Sequence, residues 1–263
     1  MKIKLAGVQE TLLIPLAARA YETKMDNRRI NDIKAAEMMT EIEYDFEKFN
    51  AKMSQEGVIA RTIILDREVQ NLIDHFPDAV CICIGCGLDT RYHRIQHSQV
   101  QWYNIDFPEV IALRKKLLPE NENVHLIGRS ALDMSWTEEI GQGNKKVIVI
   151  IEGMLMYLKQ EDVIRLFSII KNHFPNSTIL AEIMHPFIAK CSKFHDTVKY
   201  TNAVFQWGIS SGKSMEKMCD GLHFEKEWNL FDEIKGQNIF MKLAAGIPFI
   251  RNKNNKIVKF EMK

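Results

Sequence analysis

Between residues 79 and 89 an uncharged run, AVCICI, feeds into a glycine turn, GCG, and then into an acid, Asp89. A glycine turn at the end of a buried strand lets a ligand approach bare main chain where any side chain would block it. A second apolar run, WYNID, closes on Asp106 about twenty residues after Gly85. That is the distance at which α/β nucleotide-binding folds place the carboxylate that takes two ribose hydroxyls. The pair predicts an α/β chain that binds a nucleoside, with Gly85, Cys86 and Gly87 as the turn and Asp106 as the ribose ligand.

The turn is not that of a dinucleotide or triphosphate site. G-x-G-x-x-G needs a third glycine, and Thr90 stands there. Asp89 sets a negative charge beside the place of a pyrophosphate, where like charges oppose binding. The sequence holds no G-x-x-x-x-G-K-[ST]. What remains is a nucleoside without phosphate, carrying a cationic amino-acid tail, and S-adenosylmethionine has that chemistry. Oxidoreduction with NAD is disfavoured on the same grounds.

With 46% apolar and 26% charged residues, the chain has the composition of a soluble globular protein with a sizeable core. A formal net charge of +1 gives no electrostatic argument for nucleic acid or a membrane surface as partner. No uncharged run is long enough to span a bilayer. Gln9, Glu10 and Arg19 interrupt the apolar stretch after the basic start, so no leader peptide is expected and the expected location is cytoplasmic. Cys81, Cys83 and Cys86 have C-x-C-x-x-C spacing, but the first two alternate along an expected buried strand, and Cys191 and Cys219 lie in no ligand-like cluster. Free structural thiols and no metal are expected.

Apolar residues at helical spacing predict helices over 11–21, 32–39 and 57–76, and Pro77 stops the last of them. From residue 79 the pattern alternates. Strands are expected at 79–84, 101–106, 124–127, 147–151, 178–183, 223–230 and 256–261, with helices at 108–118, 160–173 and 237–246. Doubly buried strands such as VIVII between helices imply a mainly parallel sheet covered on both faces, with the ligand beyond the carboxyl ends of the strands. Residues 186–221 break the alternation and are expected to lie over that edge as a lid. Phe187, Phe194, Phe205 and Trp207 would be its apolar surface, with His185, Lys199 and Asn202 as its polar contacts to an acceptor.

Four strand ends converge on one face: residues 85–87, Asp106, residues 130–133, and Glu152 with Gly153. The chain resembles the leucine carboxyl methyltransferase family, a branch of the class I S-adenosylmethionine-dependent methyltransferases that includes bacterial polyketide carboxyl O-methyltransferases. The resemblance rests on ART (60–62), GCGLDTRYHR (85–94), IDFPEVIALRKKLL (105–118), the weaker SALDMSW (130–136) and EGMLMYL (152–158), and it spans nearly the whole chain. It implies a single domain, 1–263, with a Rossmann-like seven-stranded α/β sheet and helices on both faces. An N-terminal helical cap (1–77) and a lid insert (186–221) after the fifth strand complete it.

The resemblance also implies roles. Arg61 matches an arginine that pairs with the carboxylate of the S-adenosylmethionine tail, a task suited to a forked guanidinium. Gly85, Cys86 and Gly87 would approach the methionine moiety, and Asp106 with Phe107 the ribose side. Ser130 and Ala131 stand where the family has an aspartate and a leucine beside the adenine; Asp133 either substitutes or caps the following turn. Glu152 and Gly153 would lie near the amino end and the reacting sulfonium, and Tyr157 would close the site beside the transferable methyl. The family's N-terminal lysine has no clear counterpart, although Arg19 is available.

The implied reaction is O-methylation of a carboxylate on a small molecule, natural products included, or on a protein C-terminus. A carboxylate is ionised at neutral pH and needs no general base. A phenol or amine acceptor would need one, and His185 is the nearby choice if it is not simply structural. A binding protein that keeps the pocket without turnover is the alternative from another class.

Overall fold

Strand β1 (Val80–Ile84) is buried at every position, which its sequence VCICI permits only in a sheet covered on both faces. Val80, Ile82 and Ile84 face one apolar cluster, with Val163, Leu166 and Phe167 of a helix at Gln160–His173. Cys81 and Cys83 face the other, with Ile64, Leu65, Val69 and Ile73 of a helix at Lys52–His75. The cysteines are packed as small apolar residues, and burial pushes their thiols up.

The computed structural model describes residues 1–3, 5, 7–97, 99–119, 121–190, 197–234 and 251–263. The remaining strands are β2 (Gln101–Asp106), β3 (Val124–Gly128), β4 (Val147–Ile151), β5 (Thr178–Ile183), β6 (Leu222–Asn229) and β7 (Lys256–Met262). They form one seven-stranded sheet, β3-β2-β1-β4-β5-β7-β6. Strands β1 to β5 pair in parallel, and β7 runs antiparallel to both β5 and β6. The order reverses between β1 and β4, so their carboxyl ends flank the crevice where such sheets bind ligands. All seven strands fall where the sequence places them, within one or two residues at their ends.

The helices are α1 (Leu13–Thr23), α2 (Ile33–Glu41), α3 (Lys52–His75), α4 (Arg91–Arg94), α5 (Pro108–Leu117), α6 (Gln160–His173), α7 (Pro186–Ala189) and α8 (Gly212–Met218). Pro108 sits in the first turn of α5, where its missing N–H costs nothing. Helix α3 starts five residues before the expected position, because its first turn is polar and shows no apolar period. The helix expected at 237–246 lies outside the described residues. No described helix is long and apolar enough to cross a membrane.

The elements within the two appendages pack in different places. Within residues 1–77 the second half of α3 lies on the sheet, while α1, α2 and Phe46–Phe49 form a separate cluster with Met156, Met184 and Phe205. Residues 186–221 include elements that pack on the sheet. Trp207 and Met215 are buried in the sheet cluster, and Gly212 packs so closely on Phe224 and Val258 that a Cβ there would stand 2.4 Å from the ring. Helix α8, capped by the Ser211 side chain, therefore belongs to the sheet layer.

Candidate active site

At the switch point, Asp106 closes β2 and both its oxygens accept main-chain protons. The Gly87 N–H donates to Oδ2 and the Phe107 N–H to Oδ1, each at 2.8 Å. Burial nevertheless raises the carboxyl above the ordinary aspartate value, outweighing those two hydrogen bonds. Gly85 has φ +69°, and a Cβ there would lie 2.7 Å from the Met154 sulfur. The turn takes glycine for both conformation and space.

A buried ion network ties this turn to the rest of the molecule. Arg61, on α3, donates from Nε to Glu152 Oε1 at 2.7 Å and from Nη1 to Glu182 Oε2 at 2.9 Å. Its Nη2 makes no hydrogen bond among the described residues. Arg91 reaches the other Glu152 oxygen at 2.7 Å and also holds Asp66 and Asp89. Arg94 pairs with Asp66, Asp89 and Asp32, and Asp32 in turn holds Arg19 at 2.8 Å. From α1, Arg19 donates to the carbonyl of Leu88 in the glycine turn. Burial opposes ionisation of Glu152 and Asp89, but the guanidinium groups around them hold both below the ordinary carboxylate range.

Of these groups, Arg19, Arg61, Asp89, Asp106, Glu152 and Glu182 line one cavity of about 690 Å³. It has a charged half, around Arg61, Asp106 and Glu152, and an apolar half. The apolar wall comes from the cap (Leu12, Met53), from Met156 and Met184, and from Val198 and Phe205. Every expected cofactor residue lines this cavity: Arg61, Gly85, Cys86, Gly87, Asp106, Phe107, Ser130, Ala131, Glu152 and Gly153. Tyr157 lines it as well, and burial pushes its hydroxyl up to about 12.

Other expected residues lie elsewhere. His185 is outside the wall: its Nδ1 accepts the Phe187 N–H and caps α7, and burial with Lys253 and Lys256 nearby lowers its pKa. Trp207, Lys199 and Asn202 are not in the wall either. Phe187 and Phe205 are in it, and Phe194 falls outside the described residues. Asp133 is exposed and accepts the Ser135 N–H, so it caps the turn at Met134–Glu139. The charge of Asp89 is met by Arg91 and Arg94, so it does not by itself repel phosphate; the missing third glycine still counts against a dinucleotide.

The sequence reading missed Glu182 and Asn255. Glu182 is 1% exposed; one oxygen accepts both Arg61 and the Gly153 N–H, and the other accepts the Asn255 amide at 3.0 Å. An acid inside the otherwise apolar strand TILAEI was the available signal, since acids are almost never buried unpaired.

The donor set fits a sulfonium nucleoside. The Asp106 carboxylate suits ribose hydroxyls, Gly85 and Gly87 leave room at the main chain, and Nη2 of Arg61, without a hydrogen bond among the described residues, suits a carboxylate tail. Leu132 and the half-exposed Phe107 offer apolar faces to a base. Fold and site together are those of a class I S-adenosylmethionine-dependent methyltransferase. Residues 13–171 match the leucine carboxyl methyltransferase family profile, and the chain belongs to that family.

Its relatives agree. The tetracenomycin polyketide synthesis O-methyltransferase TcmP of Streptomyces glaucescens is 31% identical over 232 residues, covering 88% of this chain and 86% of that protein. The S-adenosyl-L-methionine-dependent methyltransferase dpfgK of Gibberella zeae is 27% identical over 247 residues, covering 86% and 83%. Among solved structures, a Thermobifida fusca protein assigned as a methyltransferase superposes with a TM-score of 0.61 at 14% identity over 94% of both chains. The magnesium protoporphyrin IX methyltransferase of Synechocystis PCC 6803 gives 0.52 at 9% identity over 83% of this chain and 94% of its own. At such identities these two structures speak to the fold alone.

Proposed function

We propose that this methyltransferase acts on the carboxylate oxygen of an apolar small molecule. The observation that carries this reading is the hydrogen bonding of the acids in the cavity wall. Asp89, Asp106, Glu152 and Glu182 all accept hydrogen bonds from guanidinium groups or main-chain N–H groups, and the Tyr157 hydroxyl stays protonated. The carboxylates are thus engaged as hydrogen-bond acceptors, and an acceptor substrate that is already ionised needs no base. The family's name and TcmP, an O-methyltransferase of polyketide synthesis, support the same reading.

S-adenosylmethionine supplies an electrophilic methyl group on a sulfonium. Arg61 would hold its carboxylate tail, Asp106 its ribose, and Tyr157 would close the wall between cofactor and acceptor. The apolar wall of Leu12, Met156, Val198 and Phe205 would strip water from the acceptor carboxylate and fix its direction of approach. Orientation of this kind supplies on the order of 7–11 kcal/mol of barrier reduction. A cavity of about 690 Å³ falls among small-ligand sites, which favours a small molecule over a protein C-terminus. The same reading places the enzyme in the cytoplasm, where the buried thiols stay reduced.

The test is incubation with methyl-labelled cofactor and separate panels of carboxylic acids, phenols, amines and C-terminal peptides. Mild alkali should release label from the product as methanol, the behaviour of a methyl ester. Label that survives alkali, or that enters peptides alone, overturns the proposal.

A further inference from the structure

Arg91 lies outside the cavity wall, its side chain wholly buried, yet each of its three guanidinium nitrogens holds a different part of the site. Nε donates to Asp66 Oδ1 on α3 at 2.7 Å, Nη1 to Asp89 Oδ2 in the glycine turn at 2.8 Å, and Nη2 to Glu152 Oε2 after β4 at 2.7 Å. The other oxygen of Glu152 holds Nε of Arg61. Three segments far apart in sequence thus meet on one rigid planar group.

We propose that Arg91 is a positioning residue for cofactor binding: it fixes the glycine turn and Glu152 in one frame and, through Glu152, aims the Arg61 guanidinium at the ligand. The inference rests on the cofactor placement above and concerns a residue that does not touch the ligand. A lysine would keep the charge but present one nitrogen, which cannot reach three carboxylates along a guanidinium's directions. Arg94 provides an internal comparison, because it shares Asp66 and Asp89 with Arg91 but makes no contact with Glu152. The low pKa of Glu152, which burial opposes and Arg61 and Arg91 impose, agrees with a carboxylate gripped from both sides.

The test is calorimetric binding of S-adenosylhomocysteine, alongside thermal melting of each variant. Arg91→Lys is expected to fold and to bind about tenfold or more weakly, the scale of one lost charge-assisted hydrogen bond. In a Glu152→Gln background the same substitution should cost less than about twofold, because the relay is already cut. Arg94→Lys should lower the melting temperature but keep affinity within about twofold. Wild-type affinity in Arg91→Lys, full additivity with Glu152→Gln, or an equal affinity loss in Arg94→Lys would each overturn the proposal. If Arg91→Lys does not fold, Asp66→Asn unpins the same guanidinium at a partly exposed position. A severalfold weaker affinity then supports the proposal, and unchanged affinity overturns it. A wild-type chain that binds no S-adenosylhomocysteine would refute the cofactor placement itself, and this inference with it.

Discussion

Asp106 and Gly87 are joined by a 2.8 Å hydrogen bond in which the glycine amide donates to Oδ2 of the carboxylate. The acid proposed to take the ribose therefore also sets the shape of the turn proposed to admit the methionine end. Loss of this one side chain should damage both halves of the cofactor site at once.

Asp106→Ala is expected to weaken S-adenosylhomocysteine binding by about 1.5–3 kcal/mol for each ribose hydrogen bond lost to the charged group. In the native chain, burial raises the Asp106 pKa while Asp89 and Glu152 are held low, so Asp106 is the first of the three to protonate as pH falls. Binding favours the ionised form. Affinity should fall by up to about tenfold per pH unit below the raised Asp106 value, and Asp106→Asn should flatten that limb. Calorimetry from neutral into acid pH, on protein shown to remain folded, reads both effects; a limb unchanged in Asp106→Asn would refute the assignment.

Asp32 is buried between Arg19 and Arg94 and caps α2 through the Ala35 N–H. Burial opposes its ionisation, but the two arginines and Thr90 hold its pKa below the ordinary aspartate value. A lowered carboxylate pKa contributes stability above the unfolded value that is lost as pH falls through the folded one. Asp32→Ala should destabilise the fold by about 3–5 kcal/mol at neutral pH by leaving buried guanidinium charge uncompensated. The deficit should shrink in acid below the ordinary aspartate range. Denaturant unfolding at neutral and acid pH measures it.

Phe205 and Trp207 are two residues apart and face different regions. Phe205 lines the cavity with its ring 5.5 Å from that of Tyr157, whereas Trp207 is buried in the sheet cluster. Phe205→Ala should leave cofactor affinity within about twofold while lowering turnover of the acceptor. Trp207→Ala should instead cost about 3–5 kcal/mol of stability. Melting temperatures and S-adenosylhomocysteine titrations on the two variants separate these outcomes.

Gly153 has φ +66°, and a Cβ there would stand 3.4 Å from Arg61 Nη2. Gly153→Ala should add strain of about 1–3 kcal/mol and bring a methyl against the Arg61 guanidinium. A variant with unchanged stability and unchanged affinity would show that the turn after β4 has another conformation available.

The sequence alone determined the sheet and its ligand edge. Strands such as VCICI and VIVII are apolar at every position, which a chain in water tolerates only where both faces are covered, and the glycine turn with Asp106 marks which end of the sheet is open. These are local signals, written within about twenty residues of one another. The tertiary structure decided which charges meet. Asp89 reads in sequence as a bare acid, but Arg91 and Arg94 neutralise it; Glu182 becomes part of the site only because β5 lies beside β4 and opposite α3. Trp207 and α8 pack into the sheet layer for the same reason: burial depends on what packs across from a residue, and the side-chain period of a segment carries no record of partners a hundred residues away.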